Sequence, residues 1–190
     1  MTETFVVLDQ ETSGFHPLKD RVLEVGALHI DMKTLEVLGR FQTVAGCSQA
    51  KLDELDMDAF VLNMHTENGL FAEVVESAVC GSFEADMKLS RWFDEIGAGL
   101  RDIILCGNSI HFDRGFMEVQ LYQSFKFLSH RVVDTSSLLT CYKQWIGVDK
   151  RHTSAHRAIA DCEASLEVLR WAREIFRHGA PILTPEAALR

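Results

Sequence analysis

The pattern of apolar and polar residues predicts strands in the first quarter of the chain. Residues 5–8 form a continuous apolar run that ends at Asp9, which is typical of a strand buried on both faces. Residues 21–31 and 37–44 predict two further strands, with a turn near 31–34 between them. Because short turns join these strands, we expect an antiparallel meander.

After a polar segment at 49–58, the pattern alternates between helices and short strands. A short helix is predicted over 58–64, with a break at 67–69. Residues 103–106 and 131–133 predict two buried strands, each followed by helical spacing. The order β-β-β-α-β-α-β-α-α predicts an α/β protein with a mixed β-sheet, in which the antiparallel meander precedes parallel strands and helices flank the sheet.

Three of the predicted helices have a candidate core face. The helix over 83–96 is expected to bury Phe83, Met87, Trp92, Phe93 and Ile96. The next helix follows the spacing Phe112, Phe116, Val119 and Gln123. The last helix, with Thr153 or Ser154 as its N-cap, is expected to bury Ile159, Cys162, Leu166, Leu169 and Phe176.

Acidic residues accompany the ends of the predicted strands, where sites form in sheets of this kind. Asp9 and Glu11 are two residues apart on an extended segment, so their side chains point to the same side. Two converging carboxylates suit a hard divalent cation. A solvated pair at a strand end is the alternative, because such a spacing also occurs by chance in an acidic chain.

Two more acids and one histidine are candidates for the same site. Asp113 is predicted in the first turns of a helix, where the helix dipole favours an acid even without a function. Asp161 is predicted in the last helix, with a partly solvated side chain as the alternative, and His156 precedes it by five residues. Together, four carboxylates and a histidine suit two divalent ions ~3.5–4 Å apart and a general base for phosphoryl displacement.

The composition and net charge of the chain argue against several classes of protein. The chain has 19 Lys and Arg against 28 Asp and Glu, for a net charge of −9, which argues against binding long nucleic acids through a basic surface. Five cysteines without a C-x-x-C motif argue against a disulfide framework or structural zinc. No apolar run approaches the ~20 residues of a membrane span, and the N-terminus lacks the features of a signal peptide. We expect a cytoplasmic protein with one domain over 1–180 and a tail over 181–190.

Three motifs of the chain resemble those of the DEDDh 3′-to-5′ exonucleases, which have a ribonuclease-H-like fold. They lie at 7–14 (VLDQETSG), at 106–110 (CGNSI) with Asp113, and at 156–161 (HRAIAD). The segments 57–60 with 65–70, and 131–138, resemble the oligoribonuclease subfamily. The resemblance implies a 3′-5′ exoribonuclease that degrades short single-stranded RNA, down to dinucleotides, to 5′-mononucleotides.

The resemblance also implies roles for individual residues. Asp9, Glu11, Asp113 and Asp161 would bind two divalent ions, Mg²⁺ or Mn²⁺, and His156 would be the base. The positions that match the 5′-phosphate cap of the subfamily are Ser109, Arg131, Ser136 and Ser137. The subfamily forms homodimers in which the partner completes this cap, so we expect a homodimer.

Several positions depart from the subfamily pattern. Phe15 replaces a leucine that wedges between bases, Phe60 replaces a base-stacking tryptophan, and His130 replaces a tyrosine that reaches across the dimer. The usual Gln after the histidine is Arg157, and Asp161 lacks its preceding acid. Phe15 and Phe60 could stack on bases or pack in the core. A general DEDDh exonuclease acting on longer single-stranded DNA or RNA is therefore the alternative function, and a domain that has lost its activity is a third.

Overall fold

A computed structural model describes residues 3–147, 150 and 154–179. One five-stranded sheet has the order β3-β2-β1-β4-β5. Its strands are β1 (Thr4–Thr12), β2 (Val22–Ile30), β3 (Val37–Val44), β4 (Ile103–Gly107) and β5 (Leu128–Asp134). The helices are α1 (Gln49–Asp53), α2 (Ala59–Glu67), α3 (Leu70–Glu76), α4 (Gly81–Glu95), α5 (His111–Gln120), α6 (Tyr122–Phe125), α7 (Thr135–Ile146) and α8 (Ala158–Gly179).

The predicted α/β class and the mixed sheet are confirmed. β1, β2 and β3 pair antiparallel as a meander, whereas β4 pairs parallel with β1 and β5 pairs parallel with β4. The tail predicted at 181–190 lies outside the described residues, so the boundary of the domain stays a prediction.

The first strand is longer than its apolar run predicts. β1 continues past Asp9 to Thr12, because β2 pairs with it along that whole length and brings Glu24 opposite Glu11. Asp9 and Glu11 therefore lie inside a hydrogen-bonded strand rather than beyond its end. Residues 131–133 are likewise only the last part of β5, which begins at Leu128.

The predicted core face of α4 is partly wrong. Phe83 and Met87 are 73% and 42% exposed, whereas Leu89 and Phe93 are fully buried and Trp92 is 9% exposed. At 100° per residue, positions 83 and 87 lie about 100° and about 140° around the helix from the centre of its buried face. The predicted spacing combined residues from the buried and the exposed side of one helix.

The other helices differ from prediction at their ends. The helix after β4 stops at Gln120, and Leu121 separates it from α6, so Gln123 belongs to another helix and Val119 is 45% exposed. Phe176, near the end of α8, is 62% exposed. The sequence pattern does not predict helices α1 and α3.

The N-cap predicted for α8 is also wrong where the structure describes it. Thr153 lies outside the described residues, and α8 begins only at Ala158, four residues after Ser154. The main-chain N–H of Ala158 donates to the Glu24 carboxylate at 3.0 Å. A side chain from β2 therefore caps this helix.

The sheet has a core on each face, and β1 contributes to both. Val6 and Leu8 pack against α4 and α5, whereas Val7 faces the buried side of α8 with Cys162 and Leu166. Because side chains alternate along a strand, Asp9 and Glu11 share the α8 face with Val7. The strand thus directs its two acids toward the helix that carries Asp161.

A glycine in β2 allows α8 to approach the sheet closely. A Cβ on Gly26 would lie 2.6 Å from the main chain of both Ala158 and Ile159. Gly26 is paired with Asp9 in the neighbouring strand. The start of α8 therefore lies directly beside the acids of β1.

Candidate active site

Four carboxylates from three elements meet on one face of the sheet. Asp9 and Glu11 come from β1, Asp113 from the first turn of α5, and Asp161 from the first turn of α8. Asp113 and Asp161 are each 4% exposed and Glu11 is 7% exposed, while Asp9 is half-buried. Glu11 and Asp161 are therefore not solvated surface residues, which was the alternative for the first pair of acids and for Asp161. Asp113 lies in the first turn of α5, where the helix dipole also favours an acid without a function.

A hydrogen bond between α5 and β1 fixes Asp113. Its Oδ1 accepts the main-chain N–H of Gln10 at 2.9 Å. Gly107, at the end of β4, lies so near β1 that a Cβ there would be 2.7 Å from the carbonyl oxygen of Leu8. The close pairing of β1 and β4 brings the turn between β4 and α5 to the acids.

The segment before α8 wraps around Asp161. Its carboxylate accepts the main-chain N–H of Ala155 at 2.7 Å, the N–H of His156 at 3.1 Å and the hydroxyl of Ser154 at 2.5 Å. Ligand atoms of Glu11, His156 and Asp161 lie within 4.8 Å of one another. The histidine and two of the acids thus form one compact group.

The carboxylates raise each other's proton affinity. The pKa of Glu11 rises from 4.5 to about 8, mainly through burial and then through the charges of Asp161, Glu24 and Asp113. Burial also raises the pKa of Asp113 to about 8. The pKa of Asp9 is well above its usual value because of burial, followed by the charges of Asp113 and Glu11. Such a group of acids is stabilised by protons or by cations.

The two phenylalanines that replace family residues lie at the surface. Phe15 and Phe60 are 65% and 64% exposed, so the alternative of core packing is wrong for both. Phe15 contacts Phe112 edge to face, with ring centroids 5.9 Å apart. Phe60 lies edge to face with the His156 ring, with centroids 6.2 Å apart, and both line a cavity of about 460 Å³. These exposed rings are available for stacking on bases.

The residues predicted to bind the 5′-phosphate of the substrate fall into two groups. The Asp134 carboxylate accepts the main-chain N–H groups of Ser109, Ser136 and Ser137, at 3.2, 2.8 and 3.4 Å. The three serines are thereby held together where β5 passes into α7. Arg131 instead forms an exposed ion pair with Glu3 at 2.5 Å, and His130 beside it is also exposed.

Two residues next to the acids received no role from the sequence. His65 is wholly buried, and its Nε2 lies 3.1 Å from the Thr12 carbonyl oxygen and 3.8 Å from Glu11 Oε2. Burial lowers its pKa. Glu24 is also fully buried. In the sequence, Glu24 stands out as an acid within the apolar run of β2, and this feature indicates a buried role. Nothing in the spacing around His65 indicates that it lies next to the acids.

Arg157, noted as a departure from the subfamily, binds Glu24. Its guanidinium donates two hydrogen bonds to the Glu24 carboxylate, each at 3.1 Å, and two to Glu73, at 2.8 and 2.7 Å. The pKa of Arg157 is raised by these bonds. Gln42 also donates to Glu24, at 2.6 Å. The buried Glu24 charge is therefore fully paired, unlike those of Asp9 and Glu11.

Within the part of the chain that the structure describes, no helix has both the length and the apolarity that a bilayer crossing requires. The five cysteines, Cys47, Cys80, Cys106, Cys141 and Cys162, are all free.

Comparisons relate this arrangement to known proteins. Residues 6–169 match the RNase T family model, described as an exonuclease. An oligoribonuclease of Chromobacterium violaceum is 32% identical over 181 residues, which cover 92% of this chain and 96% of that protein. An oligoribonuclease of Neisseria meningitidis is 32% identical over 177 residues, which cover 92% of both chains.

Solved structures share the fold at lower identity. Exonuclease I of E. coli in complex with a dT13 oligonucleotide has a TM-score of 0.66 at 16% identity over 93% of this chain. Exonuclease I of Methylocaldum szegediense has a TM-score of 0.70 at 16% identity over 90% of it. This chain spans about two fifths of those proteins, 42% and 40%. The likeness to them concerns the fold alone.

Proposed function

Because this chain belongs to the exonuclease family and, within it, to the oligoribonucleases, we propose that it hydrolyses short RNA from the 3′ end and releases 5′-mononucleotides. One observation carries the proposal. Four acids from three separate elements converge with a histidine on a single face of the sheet, and the spacing between them in the chain is that of the exonuclease motifs. That arrangement suits hydrolysis of a phosphodiester with two bound divalent ions and a general base.

The residues at the site fit a pair of divalent cations. Asp9, Glu11, Asp113 and Asp161 supply only oxygen ligands, which suits Mg²⁺ or Mn²⁺. Burial raises the pKa of Asp9, Glu11 and Asp113, and neighbouring acids of the group raise the pKa of Asp9 and Glu11 further, so cations at this site would relieve an unfavourable ionisation. Bound divalent ions supply an activated water and charge stabilisation for an in-line displacement at phosphorus.

His156 is the proposed general base. Its ring lies beside Glu11 and Asp161, and its Nδ1 is 3.2 Å from the Ser154 hydroxyl. This contact orients the ring and leaves Nε2 to take the proton from the attacking water. Phe60 and the cavity next to the ring are the proposed contact for a base of the substrate.

The preference for short substrates is tested by a length series. We expect a 5′-phosphorylated RNA dinucleotide to be cut much faster than a 20-nucleotide RNA, because a cap over the 5′-phosphate excludes a longer chain. DNA of the same lengths is the matched control, since recognition of RNA depends on the 2′-hydroxyl. Faster cleavage of the 20-mer supports the alternative, a general exonuclease acting on longer single strands.

Arg131 is proposed to bind the 5′-phosphate, and its ion pair with Glu3 does not prevent this. The two side chains are 56% and 45% exposed, and an exposed pair of this kind contributes at most about 1 kcal/mol. An arginine–phosphate contact with two hydrogen bonds is stronger. We expect Arg131→Ala to raise KM for a 5′-phosphorylated dinucleotide about tenfold and to leave KM for a 5′-hydroxyl dinucleotide nearly unchanged.

Arg40→Ala is the control for this prediction. Arg40 is also an exposed arginine paired with a glutamate, Glu163, at 2.5 Å. It lies on β3, at the opposite edge of the sheet from β5. Equal changes in KM for the phosphorylated and the hydroxyl-ended dinucleotide in Arg131→Ala contradict the role in the cap.

A homodimer and a cytoplasmic location complete the proposal. β5 is an edge strand with exposed His130, Arg131 and Val132, and Trp145 at the end of α7 is 79% exposed. An edge strand beside exposed apolar side chains supports association with a second copy. Sedimentation equilibrium measures the assembly, and a fully active monomer contradicts the proposed homodimer.

The five free cysteines support the proposed cytoplasmic location, because thiols stay reduced in that compartment.

A further inference from the structure

The main chain at His156 has an unusual conformation. Its φ is +53°, in the left-handed region, which is unfavourable for any residue with a Cβ. A residue keeps this conformation only when neighbouring contacts hold it. The direction of the His156 ring therefore depends on what binds its main-chain groups.

Asn68 binds the main-chain carbonyl of His156. Its Nδ2 donates to that oxygen at 2.5 Å across 88 residues of sequence. Its Oδ1 accepts the main-chain N–H of Leu70 at 3.0 Å. Because the N–H of Leu70 can only donate and the carbonyl of His156 can only accept, the amide has one orientation that satisfies both. Asn68 is thus fixed at the junction of α2 and α3.

The same pair of helices holds the residue that follows. Glu73 of α3 binds the guanidinium of Arg157, and the other side of that guanidinium binds Glu24 of β2. Phe60 at the start of α2 touches the His156 ring. The segment that carries His156 is therefore held between the sheet and the α2–α3 pair. Asn68 binds the main-chain carbonyl of His156, whereas Asp161 and Ser154 bind its main-chain N–H.

We propose that Asn68 is a positioning residue that sets the direction of the His156 ring through the main-chain carbonyl. The proposal rests on the role of His156 as general base. Asn68 does not contact the reacting atoms in this scheme. Its loss allows the main chain at 156 to relax from the left-handed region, and the ring then spends less time beside Glu11 and Asp161.

The test replaces Asn68 by Asp. The new side chain keeps an oxygen for the N–H of Leu70, but it presents a second oxygen instead of a donor to the carbonyl of His156. Asn63→Asp is the matched control, because Asn63 lines the same cavity, is exposed, and gains the same charge. We expect kcat for a dinucleotide to fall about tenfold further in Asn68→Asp than in Asn63→Asp, with similar KM and melting temperature in the two variants.

A second readout is independent of turnover. In the metal-free protein, the ring proton and carbon signals of His156, assigned with His156→Ala, report the environment of the ring by NMR. We expect these signals to shift or broaden in Asn68→Asp and to keep their positions in Asn63→Asp. Unchanged His156 signals in Asn68→Asp overturn the proposal, whatever the activity.

A double-mutant cycle separates positioning from general damage. His156→Ala keeps the main-chain carbonyl, and so keeps the bond to Asn68, but removes the ring. If Asn68 acts through the ring, Asn68→Asp lowers kcat little further in the His156→Ala background. The same fold-loss in both backgrounds overturns the proposal. If His156→Ala alone leaves kcat unchanged, the general-base assignment fails, and the NMR result still decides whether Asn68 positions the ring.

Discussion

Replacing Asp9 by Asn is expected to lower kcat for a dinucleotide by at least about a thousandfold, because the variant loses a central carboxylate of the proposed cation site. The same change is expected to raise the melting temperature of the metal-free protein at pH 8. Asp9 is surrounded by Asp113, Glu11, Asp161 and Glu24, and burial together with their charges raises its pKa well above the usual value. A neutral amide removes this unfavourable charge.

Asp86→Asn is the matched control. Asp86 is a buried carboxylate, 4% exposed, and three donors bind it. They are the main-chain N–H groups of Gln123 and Ser124, each at 2.8 Å, and the Ser124 hydroxyl at 2.6 Å. In an amide only the oxygen accepts hydrogen bonds, because the NH₂ group donates, so the variant cannot bind all three donors. We expect this variant to lose stability and to keep its activity at temperatures where it is folded.

The opposite signs of the two stability changes distinguish a functional acid from a structural one. Asp9 lies among other carboxylates that raise its pKa, whereas Asp86 accepts hydrogen bonds that join α4 to α6. Asp9→Asn with full activity contradicts the cation site. Absence of metal-dependent hydrolysis by the unsubstituted protein favours instead the hypothesis of a domain that has lost its activity. Asp9→Asn with a lower melting temperature in the metal-free state contradicts the account of the charges.

The sequence predicts the order of the strands and helices better than it predicts the packing between them. Asp9, Glu11, Asp113, His156 and Asp161 are predicted as one site from their residue types and from the resemblance to the exonuclease motifs, and their role as a cation site with a general base stays a prediction. The order of the elements followed from the alternation of apolar runs and helical spacing. Both are local patterns that do not depend on distant contacts.

Tertiary contacts decide the features that the sequence does not show. The apolar spacing along α4 does not show that Phe83 lies on the exposed side, because the packing of α4 against β2 and β3 determines which side of the helix is covered. Glu24 is the cap of α8, although 134 residues separate it from Ala158. Asn68 in a turn between two helices looks like an ordinary helix end, and its bond to the carbonyl of His156 spans 88 residues. Such partners become visible only after the chain is folded.

The melting temperature of the metal-free protein is expected to fall between pH 5 and pH 8. In the unfolded chain, Glu11 and Asp113 ionise near their usual values of 4.5 and 3.8, whereas in the folded protein both have a pKa of about 8. Between these values the folded state binds more protons than the unfolded state. The stability that these groups contribute is therefore complete below pH 4 and is lost as the pH rises toward 8.

The size of the effect allows a direct measurement. Each of these groups changes the free energy of unfolding by up to about 1.4 kcal/mol per pH unit in this window. For a chain of this length, 1 kcal/mol corresponds to roughly 2–4 °C, so a fall of about 5 °C or more is expected from pH 5 to pH 8. Calorimetry in the presence of a chelator measures it.

Divalent cations should reverse this loss, and the reversal should itself depend on pH. Protons and cations compete for the same oxygens, so Mg²⁺ or Mn²⁺ is expected to raise the melting temperature strongly at pH 8 and little at pH 5. Glu11→Gln should flatten the metal-free profile and weaken the response to metal. Glu118→Gln, an exposed change of the same charge on α5, should do neither. A metal-free protein that becomes more stable toward pH 8, or a Glu11→Gln profile as steep as that of Glu118→Gln, means that these acids do not share the charge that the cations are proposed to neutralise.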